Sequence, residues 1–81
     1  MTFGELKNRI FNSVGIAKKT SYRGFLFVYY GINSFSVFHF VNGNETKWIA
    51  DYGDEDFDND ESVDDFIQSF HRGIVKTPKY V

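Results

Sequence analysis

Phe3, Leu6, Ile10 and Val14 recur at the spacing of one helical face, with Phe11 beside them. Thr2 and Glu5 stand ahead of that run in the Thr-x-x-Glu pattern of a capping box, and Gly15 stands where a glycine ends a helix. The spacing predicts a first helix over roughly residues 3–14. Residues 16–21 read as a connection. Tyr22 to Tyr30 is rich in strand-forming aromatics and reads as one strand. Gly31-Ile32-Asn33-Ser34 is a turn candidate, and Phe35 to Val41 reads as a second strand. Asn42-Gly43 is the strongest hairpin signal in the chain, because both central residues of a type I′ turn need positive φ. Glu45 to Tyr52 follows as a third strand. Strict alternation there puts Thr46, Trp48, Ala50 and Tyr52 on one face, and Glu45, Lys47, Ile49 and Asp51 on the other. Val63, Phe66, Ile67 and Phe70 form the stripe of a second helix, capped by Ser62 or Asp60 and ended by Gly73. Ile74 to Val81, with Pro78, reads as a tail or an edge strand.

The expected fold is therefore a single α+β domain over residues 1–81. It is a three-stranded antiparallel meander with two helices on one face, in the order α-β-β-β-α. Double-stranded-RNA-binding domains share that order, but they need a basic cluster at the start of the second helix, where this chain places acids. The expected core is Phe3, Leu6, Ile10, Val14, Phe25, Phe27, Val37, Trp48, Phe66, Ile67 and Phe70. Ten Phe, five Tyr and one Trp supply most of the apolar area in 81 residues, so each core ring counts. The chain has no cysteine, which removes disulfides, thiolate metal sites and cysteine nucleophiles. Its longest apolar run, Phe25 to Tyr30, is too short to span a bilayer, and nothing resembles a signal peptide. The expected setting is the cytoplasm of a bacterial host cell, with no membrane partner.

Charge changes the picture. Residues 51–65 hold nine of the eleven acids and no base, while the other 66 residues hold two acids and nine bases. A net charge of −2 thus conceals a body near +7 joined to a stretch of −9. Such a split points to a basic partner. The candidate partner-binding residues are Asp51, Asp54, Glu55, Asp56, Phe57, Asp58, Asp60, Glu61, Asp64 and Asp65. In an extended chain Asp54, Asp56, Asp58 and Asp60 would lie roughly 6.6 Å apart on one side. DNA presents a charge about every 3.4 Å per strand, so a row of carboxylates can collect the lysines and arginines of a phosphate groove. Phe57 and Tyr52 would then act as apolar anchors. Competing readings are a solvated acidic loop, a segment folded back onto the basic body, and an EF-hand-like calcium loop with Asp54, Asp56, Asp58 and Asp65 at positions 1, 3, 5 and 12.

Other chemistry is sparse. Lys7, Arg9, Lys18, Lys19 and Arg23 could form a nucleic-acid patch, with sheet aromatics stacking bases. His39 and His71 lack spaced metal-ligand partners, and Ser36 and Ser69 lack a nucleophile-elbow context. Asp64 and Asp65 are adjacent on a helix and so diverge. The residues point away from an enzyme and imply no cofactor.

Helix residues Phe66-Ile67-Gln68-Ser69-Phe70-His71-Arg72-Gly73, with Asn42-Gly43-Asn44-Glu45 upstream, resemble the small acidic phage-encoded Cas9 inhibitors, the anti-CRISPR proteins of type II-A systems. The resemblance covers about residues 42–73. It implies a three-stranded sheet with helices, and acidic side chains that occupy the site where Cas9 reads target DNA. Most acids here precede the second helix, whereas in such an inhibitor many follow it, so no individual binding residue is carried over. The function expected is a phage or mobile-element inhibitor with an acidic, DNA-mimicking surface. Its partner would be a basic nucleic-acid-binding host protein such as Cas9 or a restriction enzyme, with no direct binding to nucleic acid. The alternatives are an antitoxin or immunity protein covering a basic enzyme, and a small nucleic-acid-binding module using the basic face.

Overall fold

The computed structural model describes residues 1–13, 18–30, 34–42 and 45–79. The elements are α1 (Phe3–Phe11), β1 (Lys19–Tyr22), β2 (Phe25–Tyr29), β3 (Ser34–Asn42), β4 (Glu45–Gly53), a 3-10 turn over Asp54–Asp56, and α2 (Val63–His71). The strands form one antiparallel sheet in the order β1-β2-β3-β4. The fold is α+β as expected, but the sheet has four strands instead of three. The first helix ends at Phe11 with Asn12 as its C-cap, short of the expected end at residue 14. Val14, Gly15, the turn at Gly31-Ile32-Asn33, and Gly43 of the Asn42-Gly43 turn lie outside the described residues.

The extra strand comes from a break inside the run Tyr22 to Tyr30. Arg23 at φ 50° and Gly24 at φ 84° form a two-residue turn, and Tyr22 pairs with Phe25 across it. Positive φ at both positions matches the twist of the flanking strands, and it costs arginine about 1–2 kcal/mol. Lys19–Tyr22 therefore pairs with β2, where a connection was expected.

Both helices carry the caps that their sequences announce. Thr2 Oγ1 accepts the Glu5 N–H at 3.2 Å, and Glu5 Oε1 accepts the Thr2 N–H at 3.1 Å. Ser62 Oγ accepts the Asp65 N–H at the start of α2. That helix ends at Gly73, whose N–H donates to the Phe70 carbonyl while the Ile74 N–H donates to that of Ser69. The first turn of α1 is stitched to the segment ahead of α2. The Phe3 N–H donates to the Glu61 carbonyl, Gly4 N–H to Asn59, and Val63 N–H to Met1. A Cβ on Gly4 would lie 3.0 Å from the Asn59 carbonyl oxygen, so any larger residue here would push the Asn59 backbone back by a few tenths of an ångström.

The core lies between the helices and one face of the sheet. It contains Phe3, Leu6 and Ile10 of α1, Phe25, Phe27, Phe35, Val37, Ala50 and Tyr52 of the sheet, Val63, Phe66 and Ile67 of α2, and Phe57. Phe70 packs against it partly buried. Trp48, expected inside, is 56% exposed. The reason is a bulge: Val37 pairs with Ala50, but Phe38 pairs with Trp48, so Ile49 is an extra residue on β4. Ile49 and Ala50 both turn toward the core, and the alternation resumes with Trp48 on the opposite face. Phe57, expected on the surface, is 8% exposed and stacks on Phe3 with ring centroids 4.0 Å apart.

Replacing Phe57 with Ala is expected to cost about 3–5 kcal/mol, the range for emptying a packed aromatic site. Trp48→Ala is expected to cost roughly 1 kcal/mol or less. Urea unfolding of the two variants in dilute solution measures both, and a larger loss at Trp48 there would show that the face assignment is inverted.

Candidate functional site: the acidic segment

The acids of residues 51–65 divide into two sets. The first set is held by the protein itself. Asp56 is 3% exposed and lies in the 3-10 turn that ends β4. Its Oδ2 accepts the Gly53 N–H and its Oδ1 the Lys79 N–H, each at 2.8 Å. Asp54 takes the Tyr29 hydroxyl on Oδ1 at 2.7 Å and the Lys7 ammonium on Oδ2 at 2.9 Å. Asp51 accepts the Trp48 indole N–H at 2.9 Å and the Ser36 hydroxyl. Asp64 binds the Met1 ammonium, the Arg23 guanidinium and the Tyr22 hydroxyl. Glu61 accepts the Asp58 N–H at 3.2 Å and lies 3.7 Å from the Lys76 ammonium.

These contacts shift titrations in consistent directions. The Arg23 guanidinium first, and the N-terminal ammonium after it, hold the Asp64 carboxyl at about 2, below its ordinary 3.8. Hydrogen bonds from Ser36 and Trp48 lower Asp51. Burial, reinforced by the bond to Asp54, raises the Tyr29 phenol, and burial beside Asp56 pushes Tyr52 up to about 12.

The second set is Glu55, Asp58, Asp60 and Asp65. All four are exposed, and among the described residues none of their carboxylates has a hydrogen-bond or ion-pair partner. Asp60 and Asp65 line a groove of about 470 Å³ with Glu61, Ser62, Ser69 and Lys76, over the apolar surfaces of Phe57, Phe66 and Ile74. Lys76 shows what the groove accepts, because its ammonium sits 4.4 Å from the Phe57 ring centroid as well as beside Glu61. The segment 74–79 carries no regular secondary structure and runs along this face, with the Tyr52 hydroxyl donating to the Lys76 carbonyl at 2.7 Å.

Several sequence expectations change at this point. The row Asp54, Asp56, Asp58, Asp60 is not extended: the 3-10 turn breaks it, and Asp56 points inward. Phe57 and Tyr52 are core residues rather than anchors for a partner. Asp56, the third position of the calcium reading, is engaged with backbone N–H groups. Among the described residues no three carboxylates or histidines stand together as a metal-holding group. The basic patch is also largely used internally. Lys7 and Arg23 pair with Asp54 and Asp64, and Lys18 donates to the Ser13 carbonyl. His39 packs among aromatics, 4.8 Å from Phe25 and 5.0 Å from Phe70, with His71 5.9 Å away between ring centroids. No helix among the described residues is long and apolar enough to cross a membrane. The chain matches no family model, no curated protein and no solved structure.

Two measurements separate the two sets of acids. Asp56→Asn removes one of two buried charge-assisted acceptors and is expected to destabilise by about 2 kcal/mol, whereas Asp58→Asn is expected to stay within about 0.5 kcal/mol. Chemical unfolding of each variant checks this.

The second is a pH profile. Because the folded Asp64 carboxyl is held below its unfolded value, its stabilising contribution is complete above about 4 and is lost as pH falls toward about 2. Asp64→Asn is expected to flatten the stability profile across that window. An unchanged slope would show that the Asp64 cluster contributes nothing there.

Proposed function

We propose that this chain is a binding protein, not an enzyme, and that it works through the groove lined by Asp60 and Asp65 together with the exposed acids Glu55 and Asp58 of the same segment. The supporting observation is the division of the acids. One set is consumed in fixing the segment, and the other is left outward without a partner among the described residues. Like charges held close repel one another in the free protein, so this arrangement is explained by a cationic partner rather than by stability. A lysine or arginine of that partner would lay its stem on Ile74 and Phe66 and bring its charge to Asp60 and Asp65, as Lys76 already does with Phe57 and Glu61.

Within this reading the partner is a basic, nucleic-acid-handling protein, and the chain occupies its phosphate-binding groove. The likeness of residues 42–73 to Cas9 inhibitors makes a phage or mobile-element counter-defence role its specific form, with Cas9 or a restriction enzyme as target. Mimicry then rests on Asp60 and Asp65 at the groove, with Glu55 and Asp58 as further exposed carboxylates of the same segment, in place of a continuous extended row.

The test is inhibition of DNA cleavage by Cas9 and by restriction enzymes, with the parent and with a variant carrying Glu55→Gln, Asp58→Asn, Asp60→Asn and Asp65→Asn. The variant is expected to keep the parent's fold and stability and to lose binding by several kcal/mol, the range for close interfacial charge pairs. Parent binding is expected to weaken as salt rises and to be competed by duplex DNA. Equal inhibition by the two proteins would sink the acidic-face reading. Tight binding of the parent to free DNA or RNA would sink mimicry.

A further inference from the structure

The sheet face turned away from the helices carries two complete cross-strand rows. One runs Lys19, Val28, Ser36, Asp51, and the other Ser21, Leu26, Phe38, Trp48. Phe40 extends the apolar surface beyond the second row, 38% exposed. None of these side chains belongs to the core packed beneath the helices. Trp48 projects from this face yet is not loose, because Asp51 takes its indole N–H and is itself held by Ser36. A large ring already fixed in place loses little freedom when it is covered.

From the order of residues in these rows we infer that the face is covered by a second copy of this chain. Consider two sheets packed face to face about a two-fold axis that lies between them, parallel to the strands and midway between β2 and β3. The axis lays β1 of one copy over β4 of the other and keeps each row opposite itself, reversed. Lys19 then meets Asp51 of the second copy, and Ser21, the smallest side chain of its row, meets Trp48 of the second copy. In the middle, Leu26 meets Phe38 of the second copy. The reversal pairs charge with opposite charge, large with small, and apolar with apolar, and the remaining pair sets Val28 over Ser36, whose hydroxyl is already bound to Asp51.

The geometry tolerates real sheet twist. Aligned sheets cross at about 30°. β1 lies one and a half strand spacings, about 7 Å, from the axis. A 30° rotation displaces it by about 4 Å, which a lysine side chain spans. Single-stranded nucleic acid fits less well, because stacking platforms are framed by cations, and the two rows hold one lysine and one carboxylate. The surface lies apart from the acidic groove, so a dimer would present that groove twice.

The experiment is sedimentation of the full chain over a concentration series reaching the millimolar range, together with the emission of Trp48, the only tryptophan. The parent is expected to be a dimer whose emission shifts to longer wavelength on dilution into monomers. Lys19→Asp and Asp51→Lys are each expected to weaken the dimer tenfold or more, since each sets like charges face to face twice. An equimolar mixture of the two is expected to regain the dimer, because both contacts between unlike variants are then attractive. Should Asp51→Lys fail to fold, Lys19→Asp decides alone, since Lys19 is exposed and has no partner among the described residues. A parent that stays monomeric throughout, a Lys19→Asp variant as dimeric as the parent, or two folded variants that do not rescue each other would each overturn the inference. Quenching of Trp48 by a single-stranded oligonucleotide on a monomeric parent would overturn it in favour of nucleic acid. The four-amide variant of the acidic groove is expected to dimerise normally, so failure of one reading leaves the other standing.

Discussion

The ring of Phe57 has to be buried, and most of the molecule's surface arrangement follows from that. It is the one large apolar side chain between Gly53 and Val63, in a segment that would otherwise prefer water. Its ring stacks on Phe3, meets Phe66 edge-on at 5.7 Å, and touches Phe35 and Tyr52 at 5.9 and 5.0 Å. It therefore joins α1, the central strand β3, the edge strand β4 and α2 in one cluster. Burying such a ring stabilises by roughly 1.5–3 kcal/mol, and favourable aromatic geometry adds about 0.5–1.5 kcal/mol for a pair.

Once that ring is seated, the chain on either side has little choice. Asp56 comes inside with it and must find donors, which the Gly53 and Lys79 N–H groups supply. Asp54 is brought to Lys7 and Tyr29, and the first turn of α1 to Asn59 and Glu61. The exposed ion pairs in this set are worth about 0–1 kcal/mol each, so they direct the segment more than they hold it. The outward acids are then displayed from a backbone that is anchored on both sides. The charge asymmetry in the sequence is thus partly cancelled inside the fold, and the remainder stays exposed along the same segment, with Asp60 and Asp65 meeting at the groove.

Helices, caps and most of the core were legible, because a 3.6-residue stripe with a capping residue has few other readings. Thr2 with Glu5, Ser62 and Gly73 all act as their positions suggest. The missed strand has a physical cause: Arg-Gly is a weaker turn signal than Asn-Gly, and aromatics on both sides mask it. Its trace is the spacing of inward residues, Thr20 and Tyr22, then Phe25, Phe27 and Tyr29, which jumps by three at the turn. Trp48 was misplaced because alternation assumes an unbroken ladder, and one inserted residue at Ile49 inverts it. Phe57 was read as an anchor for a partner because its neighbours are acids. In a small chain, a lone aromatic among acids is at least as valuable to the core. Which acids face outward was not legible, since that depends on contacts with Lys79, Lys7 and Arg23 far away in sequence.

The irregularity of β4 also bears on how this sheet can meet other chains. A four-stranded meander has two open edges, and an edge of unpaired backbone groups invites addition of a foreign strand and growth into aggregates. On one side β1 is only four residues long and carries Lys19. On the other, β4 is nine residues long, but the shifts opposite Val37/Phe38 and Phe40/Asn42 interrupt its ladder, and Lys47 stands among its exposed residues. Neither border is a long, flat, uncharged template. The bulge that turns Trp48 outward thus also roughens the border beside it, so that the sheet remains sticky broadside while its margins resist fibrous extension.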